Sequence, residues 1–295
     1  MKHLASVVLI GSALLAGFGS ARAADLPLKA PPPPPPPLWT GFYVGGNIGA
    51  MRGNADYDTV CPALNPATCP LLIPFFAFNS VIPGIGPIIT FVPNPFSSLP
   101  GGGAHDTSLM GGAQAGYNWQ VNKWVFGVEG DVDATRIRAS LTRNALDFTG
   151  ATPGFFGNVA ANSTFNSDWM ASIRGRVGIT QGRALFYGTA GIAFADSSVN
   201  TGYVYTPPAN AIPAFIQPGP TGARSSQTLV GWTAGVGGEW MFNNNVSVGA
   251  EYRHSDFGTH SYLLGFDLNA PSMPVYGNVK YTADQVTVRA NWHFH

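Results

Sequence analysis

Eight stretches of the chain alternate apolar and polar residues with a period of two, the pattern of strands that bury one face. In the first, Phe42, Val44, Ile48 and Ala50 oppose Tyr43, Gly45, Asn47 and Gly49; in the last, Val286, Val288, Ala290 and Trp292 oppose Thr287, Arg289, Asn291 and His293. Short and long connectors follow each other in turn. Val121-Asn122-Lys123, Gln181-Gly182-Arg183 and Phe242-Asn243-Asn244-Asn245 are short, whereas the spans 53–107, 134–168, 196–227 and 258–279 read as long loops. A soluble sandwich has no reason to sort its turns this way. A membrane-spanning barrel does, with tight turns on one side and long loops on the other.

The sense of the alternation supports that reading. The apolar face runs through all eight stretches without a charge, and the charged strand residues share the other face with Gly and Ser, which are too small to cover a surface. Polar residues therefore point inward and apolar residues toward lipid. The expected fold is all-β, an eight-stranded antiparallel transmembrane β-barrel over 39–295, with short periplasmic turns and long extracellular loops. Trp119, Trp124, Trp240 and Trp292 fall on the apolar face beside the short turns or the C-terminus, where an aromatic girdle meets lipid headgroups. Trp169 sits at the opposite edge.

The inward charges are few. Spacing from the turns predicts Glu129 and Arg176 near one level, with Asp131 and Arg174 about two residues higher, and a second group of Glu239, Glu251, Arg253 and Arg289. Buried charges must be paired, and eight strands enclose a lumen that side chains fill. A structural network and a gated polar path are both open readings of these residues.

Lys2 and the apolar run Leu4–Phe18 precede Ala21-Arg22-Ala23, so residues 1–23 read as a signal peptide. Residues 24–38 read as a periplasmic leader; its seven prolines, Pro31–Pro37, form a stiff spacer of about 20 Å that offers a contact to peptidoglycan or another envelope partner. Beyond residue 23 the chain has 13 Lys+Arg and 15 Asp+Glu, a balance that gives no sign of nucleic-acid binding.

Several motifs resemble alphaproteobacterial outer-membrane β-barrel proteins, the "porin family" or immunogenic outer-membrane proteins related to the OmpA-type barrel. They are Trp39-Thr40-Gly41-Phe42-Tyr43-Val44-Gly45-Gly46-Asn47, Gly112-Ala113-Gln114-Ala115-Gly116-Tyr117-Asn118-Trp119-Gln120, Phe126-Gly127-Val128-Glu129-Gly130-Asp131 and Arg174-Gly175-Arg176-Val177-Gly178. The resemblance implies a cell-outer-membrane protein that supports envelope integrity and displays surface loops. Its partners would be outer-membrane lipid, lipopolysaccharide and the barrel-assembly machinery, which reads a terminal aromatic; here Phe294 is penultimate and His295 last.

Catalytic motifs are mostly absent. His254 with Asp256, and His105 with Asp106, lie near the outer ends of strands, and His105, His254 and His260 show no metal-ligand spacing. The sequence thus supports a non-enzymatic barrel with structural and surface-interaction roles and no cofactor. A small diffusion channel and a rim enzyme are the alternatives.

The first long loop is the chain's least ordinary segment. It holds Cys61 and Cys69, then the apolar run Leu71–Phe96, whose prolines exclude a helix. Cys61 and Cys69 are the only cysteines, and export takes them through an oxidising compartment. An intramolecular disulfide is predicted, contributing about 2–3 kcal/mol to the order of that loop. Thiol counting on unfolded, unreduced protein checks it: two free thiols per chain reject the bridge.

Overall fold

The computed structural model describes residues 38–58, 76–82, 86–92, 101–144, 158–206, 221–266 and 274–294. The expected signal peptide and nearly all of the expected leader, together with Cys61 and Cys69 and their expected disulfide, lie outside them. The described residues form ten strands: β1 Gly41–Tyr57, β2 Phe76–Ile82, β3 Gly86–Val92, β4 Gly102–Val121, β5 Trp124–Asn144, β6 Asn158–Gln181, β7 Ala184–Thr206, β8 Thr221–Met241, β9 Val246–Phe266 and β10 Pro274–Phe294. Eight of them close an antiparallel barrel in the order β1-β10-β9-β8-β7-β6-β5-β4, with β4 returning to β1. At the level of the apolar band closure pairs both edges of every barrel strand, as the hydrocarbon interior of a membrane requires; above it the β4–β5 ladder ends at Gly111↔Ala134 and the β8–β9 ladder breaks between Gly222 and Trp232. The tight turns place Asn122 and Gly182 in the left-handed region, at φ 57° and 61°.

The strands run much further than the sequence pattern suggests. Spans read as long loops from 53, 134, 196 and 258 begin as strand, and β6 alone has 24 residues. About 20 residues rise roughly 66 Å along a strand and, at a tilt near 45°, roughly 45 Å along the barrel axis, against an apolar band of about 25 Å. Part of each strand therefore stands beyond the membrane.

Polarity changes at that boundary, on both faces at once. Going outward, the exterior passes from Ala50 to Arg52 on β1, Leu109 to Thr107 on β4, Ala134 to Arg136 on β5, Trp169 to Asp168 on β6, Phe194 to Asp196 on β7, Val230 to Thr228 on β8, Tyr252 to His254 on β9 and Val286 to Asp284 on β10. Register links much of this ring: Arg52 is level with Thr107 and Asp284, Asp284 with His254, and Asp196 with Thr228. The interior makes the opposite change. Above the buried charges lies an apolar core that includes Met51, Met110, Ile137, Phe165, Leu229, Phe257 and Tyr281. Tyr281 stacks on Phe257 with ring centroids 5.4 Å apart, and Phe165 lies 4.5 Å from it. Alternation persists above the boundary with its sense reversed, so tracing one apolar face loses the strand there.

A bulge marks the boundary on β5 and β6, where pairing skips from Ala134↔Trp169 to Ile137↔Ser167. Asp196 Oδ1 accepts from the amides of both Asp168 (2.7 Å) and Trp169 (2.8 Å), satisfying the donors that the bulge frees.

The apolar run in the first loop holds a hairpin, β2 paired with β3 from Phe76↔Val92 to Ile82↔Gly86. Its prolines flank the strands or sit at their start, where a missing donor is tolerated.

Val288 lies in the middle of the apolar band and Thr228 beyond it. Arg at Val288 should lower unfolding stability by about 2–4 kcal/mol, and Arg at Thr228 by less than about 0.5 kcal/mol. Denaturant titration in phospholipid vesicles measures both; equal costs would refute the assigned boundary.

Candidate functional site

The interior of the lower barrel is a cluster of ion pairs built by the inward parity of seven strands. Glu129, Asp131 and Asp133 come from β5, Arg174 and Arg176 from β6, Glu239 from β8, Glu251 and Arg253 from β9, and Arg289 from β10; all are buried. Tyr43 of β1 and Tyr187 of β7 complete it. Glycines make the room: a Cβ at Gly116 would sit 2.5 Å from the Tyr43 hydroxyl, and one at Gly237 2.5 Å from the Tyr187 ring.

Arg174 is the centre of the cluster. It reaches Glu129 at 2.6 Å, Asp131 at 2.9 Å and Glu251. Arg289 bridges Glu129 and Glu251 and lies 3.7 Å from Glu239. Arg253 holds Asp131 at 2.8 Å and Asp133 at 2.7 Å. Arg176 pairs with Glu239 at 2.5 Å and lies over the Tyr187 ring, its guanidinium carbon 3.6 Å from the centroid. The Tyr43 hydroxyl donates to Glu129 at 2.6 Å, and Asn47 donates to Asp133 at 2.9 Å.

This arrangement corrects the expected levels. Glu129 is level with Arg174, and Arg176 with Gly127, two residues lower. Arg176 and Glu129 are 4.0 Å apart, and Glu239 is the direct partner of Arg176. The two expected groups are one network, joined through Arg174, Arg253 and Arg289. Neighbouring strands of a tilted barrel are staggered, and counting from the turns omitted that stagger. Tyr43, Tyr187 and Asp133 were not singled out as site residues from sequence; their signal was their inward parity below the boundary.

The network leaves little passage. A gap bounded by residues including Asn47, Asp131, Arg174 and Thr287 has a volume of about 10 Å3, room for roughly one water. The periplasmic end is filled as well. Trp39, which precedes the first alternating stretch, is buried with Val125, Leu185 and Met241 and meets His293 edge-on at 5.6 Å.

Trp119, Trp124, Trp240 and Trp292 are exposed on the exterior near the tight turns, and Trp169 is exposed at the outer boundary. His254 is on the exterior, bonded to Asp284 at 2.8 Å, and His260 bonds the Phe257 carbonyl at 2.7 Å. Asp256 lies 3.6 Å from Lys280, so His254 and Asp256 have separate partners. His105 is exposed, and Asp106 accepts from the Arg138 amide at 2.8 Å. Among the described residues no group of His, Cys, Asp and Glu is arranged to hold a metal ion.

A family model described as "Outer membrane protein beta-barrel domain" matches residues 11–294. The 31 kDa outer-membrane immunogenic protein of Brucella melitensis is 27% identical, over 83% of this chain and 84% of its own. The 25 kDa outer-membrane immunogenic protein of Brucella abortus is 26% identical, over 90% of each. Among solved structures, the outer membrane protein OprG from Pseudomonas aeruginosa aligns at 12% identity over 87% of this chain and 97% of its own, with a TM-score of 0.40.

The network makes a distinguishing prediction. Glu239→Ala leaves the Arg176 guanidinium buried without its direct partner and should cost about 3–5 kcal/mol. Adding Arg176→Ala should return more than about 1 kcal/mol of it, whereas the coupling between Glu129→Ala and Arg176→Ala, across 4.0 Å, should be the smaller of the two. Unfolding midpoints of the two double-mutant cycles decide the pairing; strong coupling in the second and none in the first would reverse it.

Proposed function

The chain belongs to the outer-membrane β-barrel protein family and is a protein of the cell outer membrane, and on that footing we propose that it is a closed, non-enzymatic barrel that supports the envelope and presents surface loops for interaction. The filled interior carries this reading. Four guanidiniums and five carboxylates occupy the membrane-level lumen, an apolar core fills the barrel above them, and Trp39 fills the end below. A hydrated solute would have to displace paired charges and then cross an apolar layer, each at a cost of several kcal/mol.

The surface role is supported by composition. From Thr59 to Ala104 the chain carries no Asp, Glu, Lys, Arg or His, and it is rich in Phe, Ile, Leu and Pro. An apolar segment on the extracellular side suits contact with a partner more than solvation. The Brucella relatives are named immunogenic; display of the outer loops on this chain would give the same property. The proline run of residues 31–37 supplies a periplasmic contact toward peptidoglycan. The non-enzymatic reading is supported by the separate, local partners of His254 and Asp256.

Planar-bilayer recording on refolded protein tests the closed lumen. The expected trace shows no discrete conductance steps. Stable steps that grow when Arg174 and Glu251 are both replaced by Ala would favour the diffusion channel instead.

A further inference from the structure

The arginines inside the barrel are of two kinds. Below the boundary, Arg174, Arg176, Arg253 and Arg289 each contact at least one carboxylate. Arg143, the last inward residue of β5, stands near the outer end of the wall and is just as buried, at 4% exposure. Among the described residues it forms no ion pair. Its Nη2 donates to Ser163 Oγ at 2.9 Å, and its Nε and Nη1 are buried without an acceptor. The Tyr57 hydroxyl is also buried with no partner among the described residues.

Register assembles the layer around Arg143. Arg143 is level with Ala161, and Ala161 with Tyr203; one inward step lower, Ser163 is level with Thr201, and Thr201 with Ala223. The hydroxyls of Ser163 and Thr201 are 3.1 Å apart. The Arg143 guanidinium carbon lies 5.0 Å from the ring centroid of Tyr57, the last residue of β1. The phenols do not act as counter-ions. Burial pushes the pKa of Tyr57 up and that of Tyr203 up to about 12, and the Arg143 charge offsets only part of this. Burial lowers the pKa of Arg143, but from a starting value far above neutral pH, so it stays charged. Another step lower, Ala139, Phe165 and Val199 share a level and belong to the apolar core. The layer thus holds one full positive charge, unused N–H and O–H donors and aromatic rings, above an apolar floor.

We propose that the outer mouth of the barrel binds one small carboxylic acid with an aromatic or alkyl body, taken up as its monoanion, and that Arg143 receives the carboxylate. The charge count selects this ligand. A neutral molecule would leave the buried guanidinium unanswered. A phosphate monoester carries about −1.5 to −2 at pH 7, and no second inward cation stands in this layer among the described residues to balance the excess. A carboxylate matches one guanidinium and accepts from its free N–H groups and from the Tyr57 hydroxyl. The rings of Tyr57 and Tyr203 and the apolar floor favour an apolar body, with the few polar groups fixing its orientation. The site lies above the charge network and needs no passage through the filled lumen.

Isothermal titration calorimetry of the full chain refolded in neutral detergent tests the site, with benzoate, benzamide and phenyl phosphate as probes. Benzoate should bind saturably, one per chain. Benzamide has the same shape without the charge and should bind at least about tenfold more weakly; phenyl phosphate should also bind more weakly than benzoate. Arg143→Gln should lower benzoate affinity at least about tenfold. Tyr57→Phe removes only an unpartnered hydroxyl and should lower it about threefold or more, which keeps the test decisive if Arg143→Gln does not fold. Arg224→Gln, at an exposed arginine of β8, should bind as wild type. Ligand-free unfolding midpoints show which variants are folded. Absence of saturable benzoate binding, equal affinity for benzamide or phenyl phosphate, or wild-type affinity in folded Arg143→Gln overturns the site. Benzoate binding that appears only with Asp147→Asn or Asp267→Asn would make a carboxylate of this chain the partner of Arg143, and overturns it as well.

Discussion

The constraint from which the rest follows is that each strand crosses from one solvent into another while remaining part of one closed wall. In lipid the barrel must be apolar outside, and its inner face is left to carry whatever is polar. In water the outer face must be polar, and the inner face becomes an ordinary core. A strand with period two meets both demands only by exchanging the roles of its faces at the boundary. The chain does this on all eight barrel strands, and the changes from Ala50 to Arg52 and from Val286 to Asp284 occur on paired strands at one height. The exchange fixes the depth of the barrel, the place of the charges and the place of the apolar core.

The charge network answers to the same constraint. Inside the membrane-level barrel there is little room for water to stabilise a lone ion, so each arginine is held by carboxylates from neighbouring or facing strands: Arg174 by three, Arg253 by two, Arg176 chiefly by Glu239. Such a network contributes little net stability compared with apolar packing. Its effect is on register. A slip of one residue on β6 would turn Arg174 and Arg176 toward lipid, and a slip of two would carry Arg176 away from Glu239. The ion pairs thus specify which alignment of closely similar Gly- and Ala-rich strands is reached.

Legibility in the sequence stops at the boundary for a physical reason. Below it the pattern has one sense, and the eight strand centres, the lipid-facing positions Val286, Val288 and Ala290, and the inward position of Arg289 can be read by parity alone. Above it Met51, Ala55 and Tyr57 point inward while Arg52 and Asp56 point outward, so a reading that follows an apolar exterior takes strand for loop. Partners were less legible than faces. β5 and β6 are not joined by a tight turn, so nothing local sets their alignment, and the pairing of Glu129 with Arg174 follows from the stagger of the closed barrel. Trp39 was ambiguous because it precedes the alternation, and only closure reveals the apolar cluster at the periplasmic end that receives it.

The extramembrane part of the wall bears directly on the proposed surface role. From Asp168 back to Asn158 on β6, and from Asp196 on to Thr206 on β7, about eleven residues of strand continue past the boundary; at 3.3 Å per residue and a tilt near 45° they rise roughly 25 Å. Their inward side chains, Phe165 and Val199 among them, pack into the apolar core with Tyr262 of β9, whose hydroxyl bonds Ser197 of β7 at 2.7 Å. That core gives the extension a rigidity that a free loop would lack. In the proposed surface role it would serve as a pedestal, since the entropy cost of ordering strand ends beyond the headgroup layer is met by burial in the wall itself.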